Sequence, residues 1–185
     1  MSTQNNQENQ KTFIRKGNQI RELVILAMLG ALMFCSKMLM EILPNIHLLG
    51  MFIVAATVVF RAKALFSVYT FVFLDGLIHG FNLWWIPYLY VWTMLWGVAM
   101  LLPKNMPKRI AAIVYPLVCA LHGLLFGILY APAQMIMFSL TFEETLAWIA
   151  AGVPFDITHA VSNFILGFLV FPLVSLMRTL LKRMP

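Results

Sequence analysis

Two Asp–His pairs stand inside otherwise apolar sequence. Asp75 and His79 occur in FLDGLIHG at i and i+4; Asp156, His159 and Asn163 occur in GVPFDITHAVSNF at i, i+3 and i+7. Each spacing puts its set on one face of a helix. An acid and an imidazole so placed could pass a proton, lock two helices together, or hold a polar ligand. Lys37 and Glu41 repeat the i, i+4 pattern, while Asn45, His47 and Gln134 add amide and imidazole groups near the ends of apolar runs. Directly after His79, the stretch GFNLWWIPYLYVW carries Trp84, Trp85, Tyr88, Tyr90 and Trp92. Such rings could stack on a planar ligand or form an aromatic belt at a membrane surface.

Other chemistry finds no sequence signal. There is no GxxxxGK[ST], no HExxH, no GxSxG and no Cys/His metal spacing. Catalytic and metal-binding residues are therefore not expected, and no cofactor is implied. Cys35 and Cys119 sit in apolar runs and read as small buried hydrophobes.

The elements that must position these groups are membrane helices. The 185 residues are 62% hydrophobic and only 11% charged, with a mean hydropathy of +0.86. So little polar surface cannot cover a water-soluble domain. The apolar runs are continuous rather than alternating, which favours helices over a barrel. The sequence predicts an all-α membrane protein with six transmembrane helices over about residues 22 to 42, about 47 to 60, about 64 to 82, about 85 to 102, about 109 to 131 and about 156 to 177. The second is short and reads as tilted or partly interfacial. Residues 1 to 20 read as a disordered cytoplasmic tail, 21 to 180 as the helical domain, and 181 to 185 as a short cytoplasmic tail.

Charge sets the direction. With six spans, Lys11, Arg15, Lys16, Arg21, Arg61, Lys63, Lys104, Lys108, Arg109, Arg178, Lys182 and Arg183 all fall on one side; only Lys37 lies within a span. The positive-inside rule then predicts both termini in the cytoplasm. The net charge of +6 is a topology signal, with no basic patch left over for nucleic acid. In this arrangement Lys37, Glu41, Asp75, His79, Asp156, His159 and Asn163 lie in the outer halves of their spans. Asn45 and His47 fall in the first outer loop, Trp84, Trp85 and Tyr88 at the outer start of the fourth span, and Gln134 at the start of the last outer loop. Asp156, following Pro154, suits a helix start. Trp92 and Trp96, deeper in the fourth span, read as packing. Ionisable groups in lipid are costly and face a cavity or each other. Their convergence at one depth points to an outward cavity, with Lys37, Asn45, His47, His79, Trp84, Trp85, Tyr88, Gln134, Asp156, His159 and Asn163 as candidate ligand contacts.

The first span also offers a surface to another helix. In AMLGALMF, Ala27 and Ala31 are four apart with Gly30 between them, and small residues let helices approach closely in lipid. Gly123, Gly127 and Ala131 form a similar run, read as internal packing.

On these residues the chain resembles the S component of an energy-coupling factor transporter. The resemblance rests on six helices in under 200 residues, on Ala27-xxx-Ala31, and on LPNIHLLG, GFNLWWIPYLYVW and GVPFDITHAVSNF, which are similar to uncharacterised members of that group. It covers residues 20 to 180. It implies a non-enzymatic subunit of the bacterial cell membrane that captures a vitamin from outside. It further implies docking through Ala27, Gly30 and Ala31 onto a transmembrane T component coupled to two cytoplasmic ATPases, which alone use ATP. In that family helices four to six and the loops after helices one, three and five line the ligand site. A corrinoid such as cobalamin is the leading ligand; folate, riboflavin and pyridoxine stay open. Two other classes stay open beside it: an intramembrane enzyme using the Asp/His pairs, and a secondary carrier acting alone.

Overall fold

The computed structural model describes residues 2–43 and 46–183, with side chains for residue 17 and from residue 19 onward. Every regular element among them is helical. In chain order these are α1 (Ser2–Leu39), α2 (Leu49–Phe60), a single 3-10 turn (Arg61–Lys63), α3 (Ala64–His79), a second such turn (Leu83–Trp85), α4 (Tyr88–Leu101), α5 (Lys108–Leu124), α6 (Phe126–Met137), α7 (Phe142–Gly167) and α8 (Val170–Arg183). Four helical stretches are long and apolar enough to cross a membrane: Gln19–Leu39, Leu49–His79, Lys108–Met137 and Phe142–Gly167. The protein is thus an all-helical membrane protein.

Local chemistry sets the breaks. After α2, Arg61 turns to φ 56°, and its guanidinium caps the end of α4 by donating to the Met100 and Leu102 carbonyls. After α3, Gly80 takes φ 89°, a conformation open to glycine, and the chain reverses. Before α7, Thr141 accepts from the Glu144 amide at 3.2 Å, and Glu144 accepts from the Thr141 amide at 2.8 Å. That reciprocal cap starts α7 well before Asp156. Asp156 is therefore an interior residue of α7 and no helix start. Likewise Gln134 lies within α6 rather than in a loop, because the helix runs on through Pro132 to Met137. Membrane helices tolerate such prolines where neighbours satisfy the freed carbonyl.

Contacts fix how the helices run. Lys63–Glu22, Ser67–Leu26 and Lys37–Asp75 tie α1 and α3 side by side in one direction. Trp85–Val72 and Trp96–Arg61 set α4 against α3 in the opposite one. Gly123 against His159, Gly127 against Asp156 and Gly167 against Pro116 make α7 antiparallel to α5 and to the start of α6. A Cβ on any of these three glycines would come within 2.5 to 2.9 Å of the facing helix. Gly123 and Gly127 are thus internal packing, as the sequence suggests. Gly30 is too: a Cβ there would meet the Ser67 carbonyl and Thr70 at 2.6 Å. It belongs to the α1–α3 contact and is not free to receive a partner. One end of the bundle gathers Glu22, Arg61, Lys63, Lys104 and Arg178. The other gathers Lys37, Asp75, His79, Trp84 and Tyr130.

The centre of the bundle is α2. Eleven of its twelve residues are buried, so it is the core helix and no interfacial one. At 1.5 Å per residue it is about 18 Å long, short of the ~30 Å hydrocarbon core. The 14 residues of α4 reach about 21 Å. Neither crosses a bilayer by length alone, which is where the six-span expectation and the four long apolar stretches part.

Candidate functional site

The end of the bundle opposite the basic residues holds three connected groups of side chains. The first is an ion cluster between α1 and α3. The Lys37 ammonium donates to the Asp75 carboxylate at 2.6 Å, and Asp75 is fully buried. His79 Nδ1 lies 3.2 Å from the same carboxylate, and its Nε2 lies 3.7 Å from Glu41. Lys37 thus reaches across to α3 instead of pairing with Glu41, which lies just past the end of α1. Its ammonium also sits 5.8 Å from the Trp84 ring and 5.4 Å from the Tyr88 ring, within cation–π range.

The second group lies deeper, around Trp92. This indole is 1% exposed. It makes ring contacts with His47 (5.8 Å), Tyr88 (5.6 Å), His122 (5.5 Å) and Phe126 (5.6 Å). His47 in turn meets His159 edge-on at 4.6 Å. His122 Nε2 lies 3.1 Å from the Val91 carbonyl. Several buried polar atoms here find no hydrogen-bond partner among the described residues: His47 Nδ1, Trp92 Nε1, His122 Nδ1, His159 Nε2 and both atoms of the Asn163 amide. Buried polar groups are nearly always paired, so such a concentration is unusual. Burial, followed by His122 and Lys37, pushes the His47 imidazole down to about 4, which keeps it neutral. Among the described residues no three His, Cys, Asp or Glu side chains are placed to hold a metal ion.

The third group is a cavity of ≈ 450 Å³ between α6, α7 and the Leu83–Trp85 turn. Its walls include Trp84, Phe126, Tyr130 and Trp148, with Gln134 and Asp156 as polar members. Tyr130 donates to the Trp84 carbonyl at 2.8 Å and stacks on Trp148 at 6.1 Å. Asp156 accepts from the Gly127 amide at 3.1 and 3.2 Å. Phe126 is the shared wall: one side lines the cavity, while its ring also contacts Trp92, His122 and His159.

The structure therefore brings Lys37, His79, Trp84 and Tyr88 together, His47 with His159, and Gln134 with Trp84 and Asp156. Asn163 faces Gly50 of α2 from below this zone. Asn45 lies outside the described residues. Trp85 turns away: its indole donates to the Val72 carbonyl at 2.8 Å and its ring packs on Phe81. Sequence reasoning missed His122, which carries no ligand-like spacing. Trp92 is packed in the core, as the sequence suggests, and its unpaired N–H also lies among the imidazoles. The signal for His122 lies in the packing: it precedes Gly123, which meets His159 where α5 and α7 run antiparallel.

No protein-family model matches the chain, and no curated protein or solved structure does either.

Proposed function

We propose that this chain is the substrate-capture subunit of an ATP-driven importer, of the S-component type, crossing the bacterial cell membrane six times with both termini in the cytoplasm. The observation that carries the reading is the concentration of unpaired buried polar atoms beside an aromatic cavity, at the bundle end away from the basic residues. A site of that chemistry suits capture of a small polar ring compound from outside. The clustering of Arg61, Lys63, Lys104 and Arg178 at the opposite end supports the orientation. The subunit performs no catalysis; ATP is consumed by two partner ATPases acting through a T component. The enzyme alternative draws less support, because Asp75 is already committed to Lys37. A cavity of ≈ 450 Å³ favours a ligand of one or two rings, such as pyridoxine, over a corrinoid macrocycle with its side arms.

Docking falls to α1. Its outward face carries Ile20, Val24, Met28 and Leu32, all about half exposed or more. Ala27 and Ala31 are half-buried on the same side. Two small residues among larger ones make a shallow strip for a second helix. Ala27→Trp combined with Ala31→Trp is expected to abolish copurification with the T component and ATPases, while the isolated subunit stays monodisperse. Copurification at the unmodified level would refute this docking face.

A further inference from the structure

The cavity walls carry a charge pattern that narrows the ligand further than its size does. Trp84, Phe126, Tyr130 and Trp148 present aromatic faces or edges to one space. No Lys, Arg or His is among the residues lining it. The one carboxylate among the lining residues is Asp156, 8% exposed. Its carboxylate oxygens share a single backbone donor, Gly127 N–H. Among the described residues no cationic side chain lies within ion-pair distance of it. Gly127 itself is required for this approach, since a Cβ there would stand 2.5 Å from Asp156 Oδ2.

A buried carboxylate with one neutral donor and no counter-charge is costly to hold. Aromatic rings around it lower that cost for one kind of guest. Their faces are electron-rich and attract cations, and a ring cage with a carboxylate is the arrangement that recognises quaternary nitrogen. An anionic guest would meet both the carboxylate and the ring faces unfavourably. A neutral guest would leave the carboxylate uncompensated.

We infer that the captured ligand is an organic cation, a compact ring compound with a quaternary or protonated nitrogen that sits in the Trp84–Tyr130–Trp148 cage against Asp156. This deepens the capture reading and rests on it. Gln134, the other polar member of the wall, is placed to hydrogen-bond a polar substituent on the same guest.

The test is a matched pair of probes on the full chain in detergent, followed by tryptophan fluorescence. One probe is nicotinamide methylated on its ring nitrogen, a flat cation. The other is meta-toluamide, in which carbon replaces that nitrogen and the charge is gone. The cation is expected to bind at least about tenfold more tightly than its isostere. Asp156→Asn, which keeps an acceptor for Gly127 N–H, is expected to erase that preference. Trp148→Leu, which leaves the charge in place, is expected to weaken the cation by about tenfold as well. Equal binding of the two probes, no binding of the cation, or a cation preference unchanged in Asp156→Asn would overturn the inference. Mass spectrometry of molecules retained on the purified chain separates the two levels. A retained uncharged or anionic ligand leaves capture standing and overturns the cationic assignment; a retained cation, displaced by the cationic probe, supports both.

Discussion

Asp75→Asn is expected to destabilise the protein by about 3 kcal/mol, the lower end of what removing one partner of a buried ion pair costs. Asp75 is fully buried, while Lys37 keeps 23% of its side chain exposed. Removing the carboxylate charge leaves the Lys37 ammonium between α1 and α3 with a neutral amide and the Trp84 and Tyr88 rings in place of its counter-ion. His79 loses the nearer of its two acidic neighbours at the same time. In a cooperative thermal unfolding experiment the midpoint should fall by roughly 6–12 °C for a chain of this size. The double variant Lys37→Met, Asp75→Leu should recover most of the loss, since an apolar pair of similar volume often replaces a buried ion pair without penalty. A midpoint unchanged in Asp75→Asn would show that the pair does not hold α1 to α3.

Trp92→Ala should cost about 3–5 kcal/mol, as for other large aromatic truncations in a packed core. Among the described residues Trp92 is the largest fully buried side chain. Its ring touches Phe71 of α3, Tyr88 of its own helix, His122 of α5, Phe126 of α6, and His47 ahead of α2. One truncation therefore loosens the meeting point of several helices. Trp92→Phe keeps most of the volume and removes only the N–H, so it should cost less than half as much. That variant also tests function, because the unpaired N–H is one of the atoms the capture site would use. A Trp92→Ala protein as stable as the parent, by the same unfolding measurement, would remove Trp92 from the core.

How much of this was legible in the sequence depends on whether the signal is local. The apolar runs, the reversal at Gly80 and the break around Arg61 to Lys63 are local, and the structure has them. The start of α7 was also legible, since Thr141 and Glu144 have the spacing of a reciprocal cap. Pro132 reads as a stop, yet α6 continues past it. Register between helices leaves no local trace. Lys37 has an acid four residues on, and only the packing of α1 against α3 shows that Asp75 is its partner. His122 is likewise an isolated histidine in sequence and joins the candidate site only when α5 meets α7 across Gly123. Trp84 and Trp85 are adjacent and chemically identical, but one lines the cavity and the other is pinned to Val72. Spacing cannot separate them.

The most direct test of the capture reading is native mass spectrometry of the full chain purified from its own membrane in mild detergent. The account predicts one small molecule of one or two rings retained per chain, and lost when Trp148 is replaced by leucine. A chain that carries only lipid and detergent, with the same mass distribution in the parent and in Trp148→Leu, would contradict it.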